Sequence, residues 1–298
     1  MTEKDASDAP TRAQRYLQPF RELGPRALPT LKYLTHTEVH TYAFSVAANA
    51  ILSFFPFVVL LMTVIRKVFR SRRMLEVVGQ LLQGYLPANQ AFIVGSIRKL
   101  AFAHSGTQIM SLVMLVITST GVFMPLEVAL NQIWGMKDNR SYLGNQVISL
   151  GLAFGCGVLA LFSIAMTSGT HLLLQTAFFG HVENFVFQSL AWLVMKAFAL
   201  ASSILIFFFI YWLLPNGKVN PRVVFPAAVV AGLLLEVAKY VYILVLPFLD
   251  FRETYGPFAI SVTLIFWAFI SGLLLFGGAY LSVPDRGGGP AASAPRQA

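Results

Sequence analysis

Apolar residues run along this chain in six long blocks, at 44–65, 108–130, 145–167, 187–213, 222–247 and 257–281, with polar stretches between them. The blocks do not alternate in polarity. Ile204-Leu205-Ile206-Phe207-Phe208-Phe209-Ile210 is apolar on every side of a helix drawn through it. Each block exceeds the ~20 residues that carry a helix across a hydrocarbon core about 30 Å thick. A β-barrel would show short segments of alternating polarity instead. The pattern predicts an all-α polytopic membrane protein with six transmembrane helices.

A second pattern fills the stretch between the first two blocks. Met74, Leu75, Val78, Leu81, Leu82 and Tyr85 recur at helical spacing, with Glu76, Gln80 and Gln83 opposite. After Pro87-Ala88-Asn89 comes a weaker stripe of Phe92, Ile93, Ile97 and Leu100, with Arg98 and Lys99 on its polar side. This predicts an amphipathic helical hairpin over 74–104, lying at the membrane interface. It reads either as a lid packed on the bundle or as a gate that touches lipid. Residues 1–43, broken by Pro10, Pro19, Pro25 and Pro29, read as a polar cytoplasmic tail, with the first apolar run too late for an export signal. Residues 44–283 form the membrane domain, and 284–298, rich in glycine and proline, read as a disordered tail.

Composition narrows the class further. Apolar residues make up 56% and charged residues 12%, against about 25% charged in an ordinary soluble protein. Intrinsic disorder and a soluble globule are both excluded. Five of the 35 charged residues fall inside the blocks: Glu127, Lys196, Arg222, Glu236 and Lys239. A single cysteine, Cys156, excludes an internal disulfide framework and a thiolate zinc site.

Charge also orients the chain. Lys4, Arg12, Arg15, Arg21, Arg26, Lys32, Lys137, Arg140, Lys218, Arg222, Arg286 and Arg296 all fall on the side of the termini, whereas the loops after the third and fifth blocks contribute Arg252 alone. Positive charge resists translocation, so both termini are expected in the cytoplasm. Residues 66–107 disagree, with seven basic residues, five of them in Arg66-Lys67-Val68-Phe69-Arg70-Ser71-Arg72-Arg73. Either this cluster meets lipid headgroups on the outer surface, or the first block breaks at Pro56 and re-enters.

Ionisable groups inside hydrocarbon are costly and raise a functional hypothesis by default. Glu236 and Lys239 share a helix face, and Lys196 lies at nearly the depth of Glu236. Lys196 is the expected partner of Glu236 and Lys239 its rival. Such a pair either pins helix register or holds a charged headgroup, an ion or a proton. Glu127 precedes Asn131 by one turn near the cytoplasmic end of the second block. Asn49 and Ser53 are one turn apart ahead of Pro56, a hinge whose ring frees a carbonyl near position 52 that Ser53 can help satisfy. Gly151 with Gly155, and Ala228 with Gly232, have the spacing of close helix contacts. Leu126-Glu127-Val128-Ala129 resembles Leu235-Glu236-Val237-Ala238, as an inverted repeat would require.

Enzyme signatures are missing. There is no phosphate loop and no Gly-x-Ser-x-Gly elbow, and His36 and His40 flank Glu38 in the wrong order for a zinc helix. No catalytic residue, cofactor or metal is expected. The net charge of +9 follows from topology and does not call for nucleic acid. Membrane lipids are the expected partners, and a homo-oligomer stays open.

Several motifs occur in a telling order. Ala50-Ile51-Leu52-Ser53-Phe54-Phe55-Pro56 lies in the first block, Asn131-Gln132-Ile133-Trp134 follows the second, and Leu214-Pro215-Asn216 with Lys218-Val219 follows the fourth. Glu236 and Lys239 occupy the fifth, Tyr255-Gly256 opens the sixth, and Trp267 lies within it. Over about residues 30–283 the chain thereby resembles the YihY/virulence factor BrkB family. The resemblance implies six spans in a bacterial inner membrane. The family was once labelled a tRNA-processing ribonuclease, a chemistry for which this chain offers no residues. Where the family commonly ends in Gly-Ala-Glu, this chain has Gly278-Ala279-Tyr280. The expected function is transport or handling of a lipid or amphipathic solute, with a non-transporting scaffold or envelope-integrity factor as the competing reading.

Overall fold

A computed structural model describes residues 23–85, 95, 105–136, 141–177 and 185–283. Nine α-helices follow one another in that described chain: α1 (Leu23–Leu34), α2 (Thr37–Val64), α3 (Arg72–Tyr85), α4 (Ser105–Ile133), α5 (Tyr142–Ala177), α6 (Phe185–Leu213), α7 (Pro221–Leu249), α8 (Phe251–Tyr255) and α9 (Ala259–Leu281). A π-helical turn, Ile65–Phe69, extends α2, and a short 3-10 turn, Gly256–Phe258, precedes α9. No strand occurs among the described residues. Six helices, α2, α4, α5, α6, α7 and α9, are long and apolar enough to cross a membrane. They match the six apolar blocks.

The first span is continuous. α2 passes through Pro56 without interruption for 28 residues, about 42 Å at the α-helical rise. That overturns the re-entrant reading and puts the basic cluster at the end of α2 remote from α1. The Ser53 hydroxyl satisfies carbonyls one turn back, donating to Asn49 O at 2.9 Å and Ala50 O at 3.0 Å. Its reach is thus toward positions 49 and 50, not 52.

The first arm of the expected hairpin is α3, and it packs as a lid. Met74, Val77 and Val78 are buried with Val58, Leu61, Met62 and Ile65 of α2 and Ile164 of α5. Val77 lies off the predicted stripe yet joins the core, while Glu76 faces outward as predicted. The second arm (apart from Gly95), the first 22 residues and the tail from 284 lie outside the described residues.

Short connections make sequence neighbours antiparallel neighbours in space. α2 packs most extensively on α4 and then on α9; α4 meets α5, α5 meets α6, α6 meets α7, and α7 meets α9, which closes the ring on α2. The main core occupies the half of the bundle nearest α1. It draws Val39 and Ala43 from α2, Leu126 and Leu130 from α4, Leu152 from α5, Tyr211 and Leu214 from α6, Val224 and Ala231 from α7, and Phe276 and Ala279 from α9. All six spans therefore converge at one end. In the other half, the smaller core is built mainly from α2, α3 and α5.

α1 was not anticipated. It docks on the end of α9, where Tyr33 stacks on Tyr280 with centroids 4.5 Å apart and Arg26 Nη1 donates to Leu281 O at 3.4 Å. Tyr280 is the residue that departs from the family's Gly-Ala-Glu ending, and its ring is used in this stack. The contact places the N-terminal helix and the end of the last span on the same side of the bundle.

Close helix approaches depend on particular glycines. At Gly278 an added Cβ would meet the Tyr211 hydroxyl and lie 2.7 Å from Ala231 Cβ; at Gly232 it would lie 2.6 Å from Ile204 Cγ1. The Tyr211 hydroxyl cannot retreat easily, because it donates to Leu275 O at 2.7 Å within the core. Gly151 and Gly155 meet nothing within 4 Å. Their spacing marks no helix contact among the described residues, whereas the Ala228–Gly232 spacing does. Gly278→Ala should cost about 1–3 kcal/mol through overpacking. Gly155→Ala should be neutral or gain up to about 1 kcal/mol from helix propensity. Thermal unfolding in detergent separates the two, and equal midpoints would contradict the packing described.

Candidate functional site

The polar residues singled out in the sequence fall into three groups, and the structure gives each a different character. The first lies at the edge of the main core. Ala231 is the last buried residue of α7 in that core, Leu235 packs against it, and Glu236 follows directly. At the helical rise, Glu236 stands ~20 Å from the Leu249 end of α7. The Lys239 ammonium donates to the Glu236 carboxylate, with side chains 10% and 18% exposed respectively. Lys196 of α6 reaches the same place through Tyr240, its Nζ 4.9 Å from the ring centroid, and Lys239 Nζ lies 5.4 Å from that centroid.

The rival partner, Lys239, holds the ion pair, and the expected partner, Lys196, enters the cluster over an aromatic face. A pair three residues apart on one helix is aligned by the helix itself. A pair across two helices also needs the right rotation of each, which matching depth does not supply. Two ammonium groups and one carboxylate thus gather around the Tyr240 ring. Val237, Tyr240, Val241 and Leu244 are exposed beside it, Leu244 by 70%. The cluster therefore borders an apolar surface of α7.

The second group lies at the opposite end, near α1. Glu127 and Asn131 are buried on α4. Asn131 Oδ1 accepts from Asn216 N–H at 2.7 Å, and its backbone carbonyl accepts from Met136 N–H at 2.8 Å. Gln132 Nε2 donates to Glu38 Oε2 of α2 at 2.9 Å. Gly135, at φ +65°, turns the chain out of α4, and an added Cβ at Gly217 would lie 3.1 Å from Met136 Sδ. Asn131-Gln132-Ile133-Trp134 and Leu214-Pro215-Asn216 thus form one joint between α2, α4 and the α6–α7 connection. The arrangement is that of a structural pin.

The third group is Asn49 and Ser53. Asn49 Nδ2 donates to Ser45 O at 2.9 Å, and its side-chain oxygen packs against Gly121 of α4. Both residues are satisfied by their own helix, and with Pro56 they shape the α2–α4 contact. None of the three approaches the Glu236 cluster.

Several residues escaped the sequence reading. Asn145 and Ser149 are buried one turn apart on α5, with the hydroxyl 3.4 Å from Asn145 Oδ1. The one-turn rule applied to Asn49 and Ser53 would have found them. Tyr240 and Tyr211 carry no such signal, because a tyrosine in an apolar run reads as bulk. Tyr242 donates to Thr263 O at 2.8 Å and ties α7 to α9 beyond the cluster. The repeat suggested by Leu126–Ala129 and Leu235–Ala238 gains no support. Glu127 lies ~9 Å from the end of α4, less than half the depth of Glu236, where an inverted repeat needs matching depths.

If Glu236 and Lys239 act as a unit, Glu236→Gln and Lys239→Met should be non-additive. The expected coupling is about 1–3 kcal/mol, below that of a fully enclosed pair because both side chains keep some exposure. Unfolding midpoints of the two single variants and the double variant measure it. Simple additivity would show the two groups to be independent.

The comparisons with known proteins agree among themselves. A family model described as Virulence factor BrkB matches residues 30–294. A UPF0761 membrane protein of Chlorobium chlorochromatii is 24% identical over 255 residues, covering 83% of this chain and 56% of that protein. One of Acinetobacter baylyi is 26% identical over 226 residues, covering 72% and 52%. One of Vibrio parahaemolyticus is 28% identical over 262 residues, covering 84% and 78%. The chain thus spans about half the length of the first two relatives. No solved structure matches it significantly.

Proposed function

The chain belongs to the virulence factor BrkB family of membrane proteins, and we propose that its bundle binds and moves a lipid or amphipathic solute with an anionic head. The observation that carries this reading is the cluster of Lys196, Glu236, Lys239 and Tyr240, two ammonium groups and a carboxylate that border an apolar helix face. An amphipathic molecule entering sideways from the bilayer would place its head against the ammonium groups. Its chain would lie along Val237, Val241 and Leu244. Glu236 balances the cations while the site is empty. It also supplies a group whose protonation or displacement could couple binding to an ion, the role that intramembrane carboxylates commonly take.

The distribution of packing supports a direction of access. All six spans meet in the core near α1, which would close that end. The cluster lies at the edge of that core, next to Leu235. We further propose a bacterial inner membrane with both termini in the cytoplasm. The twelve basic residues on the terminal side support this orientation, as does the docking of α1 on the end of α9. The site is then reached from the outer half of the bilayer. No chemical step is invoked, and the protein acts as a non-enzyme.

One observation favours the scaffold reading. Glu236 and Lys239 neutralise each other on a single helix, which a purely structural pair would also do. Reconstitution into liposomes decides between the two. Fluorescent phospholipid and amphipathic anions should cross vesicles that contain the protein, and Glu236→Gln should abolish flux in protein that still folds and inserts, its midpoint lowered only by the loss of the ion pair. A scaffold would give no flux with any solute and would purify with a stable partner.

A further inference from the structure

α1 presents a face that neither the core nor the Glu236 cluster uses. The helix is 12 residues long with Pro29 inside it, and a helix that short has little stability of its own in water. One side of it is docked. Tyr33 stacks on Tyr280, and an added Cβ at Gly277 would lie 3.2 Å from Leu34 Cδ1 and 3.6 Å from Thr30 Cγ2. Thr30, Tyr33 and Leu34 therefore lie against the last turns of α9. The opposite side carries Leu28 and Leu31, one turn apart, with Thr35 following. Leu28 is 76% exposed and Leu31 62% exposed. Together with Pro29 and Lys32, these residues line an open hollow on the outside of the bundle.

The direction of that face follows from α9. Gly277 stands one turn before the Leu281 end of the apolar span Ser261–Leu281, so α1 lies beside the spanning part of α9 and not past its end. Phe269 and Tyr280 are three turns apart and share one face of α9. On that face Phe269 stacks with Phe44 of α2, centroids 4.2 Å apart, and Phe44 is 54% exposed. The seam between α2 and α9 is thus open to hydrocarbon at Phe44, and α1 docks farther along the same face of α9. The principal contacts of α1 are with α9 and, fewer, with α2. Its far side is directed out of the bundle, and the surface it presents continues the lipid-facing surface of the span.

At the depth of the last turn of a membrane span, the surrounding medium is the boundary between acyl chains and headgroups. A leucine pair beside a lysine is the pattern of a helix lying in that boundary, with the ammonium reaching outward on its flexible stem. We infer that α1 is an interfacial helix seated in the bilayer leaflet on the side of the termini, with Leu28 and Leu31 among the acyl chains and Lys32 at the headgroups. The Tyr33–Tyr280 stack fastens this lipid-bound helix to the last span. A second copy of the chain on the same face is the rival occupant. The inference concerns a surface remote from the Glu236 cluster and stands whether or not the bundle transports anything.

The test uses the full chain, with Cys156→Ala, in liposomes of phosphatidylethanolamine and phosphatidylglycerol. A nitroxide spin label is placed at single cysteines. Its collisions with oxygen, which concentrates in hydrocarbon, are compared with its collisions with a water-soluble nickel chelate. Phe154→Cys, at an exposed position midway along the α5 span, and Lys218→Cys, in the α6–α7 connection, set the lipid and water limits. Leu28→Cys and Leu31→Cys should give oxygen-to-nickel ratios between those limits and several-fold above that at Lys218→Cys. Lys32→Cys should give a lower ratio than either leucine position. Each variant is read in protein that keeps the parent's unfolding midpoint, and where one leucine position fails to fold the other reads the same face. A ratio at Leu28→Cys and Leu31→Cys equal to that at Lys218→Cys would put the face in water and overturn the proposal. Shielding from both reagents, with spin–spin broadening that fades on dilution with unlabelled protein, would put a second copy there and overturn it equally. No flux is measured, so failure of this proposal and failure of the transport reading are separate results.

Discussion

Hydrocarbon offers no hydrogen bonds, so each polar group that this chain carries into the membrane must be satisfied by the protein itself. The long uninterrupted helices satisfy the backbone. Side chains follow the same rule: Ser53, Thr63, Ser203, Thr263 and Ser271 each donate to a carbonyl one turn back on their own helix. Tyr211 and Tyr242 donate across to α9. Against that background the group around Glu236 stands apart. It keeps some exposure, gathers two ammonium groups and a carboxylate, and sets both ammonium groups against an exposed aromatic ring.

The bundle is unequal along its length, and the inequality gives the polar groups their meaning. Near α1 all six spans share one core, with α4, α6 and α7 pinned through Asn131 and Asn216. Farther along, contacts divide between α2, α3 and α5 on one side and the Tyr242, Trp267 and Phe266 rings of α7 and α9 on another. The charged cluster sits at the boundary, where a change in helix spacing would alter its access.

Much of this was legible in the sequence, and the remainder failed for identifiable reasons. The span limits follow from the apolar blocks because hydrocarbon thickness sets helix length directly. α1 was hidden because Pro25 and Pro29 argue against a helix. Pro25 falls in the first turn, where a missing N–H costs nothing, and docking on α9 carries the rest. The pairing of Lys239 with Glu236 follows from spacing on one helix, whereas the Tyr240 ring beneath Lys196 could not be read, because depth can be counted from sequence and rotation cannot. For the same reason Gly151 and Gly155 looked like a contact and Gly278 did not. Spacing shows which residues share a face, but only the fold shows whether that face meets a helix or lipid.

The account rests on α2 crossing the membrane in one continuous helix, which separates the α2–α3 turn from the α6–α7 connection by the full bilayer. Single cysteines at these two places test it directly, in a chain where Cys156→Ala removes the native thiol. Arg72→Cys and Lys218→Cys both fall at exposed positions. A membrane-impermeant thiol reagent applied to spheroplasts should label Arg72→Cys and spare Lys218→Cys, with both labelled after the membrane is opened. Labelling of both or neither in sealed spheroplasts would place them on one side and contradict the fold's span across the bilayer.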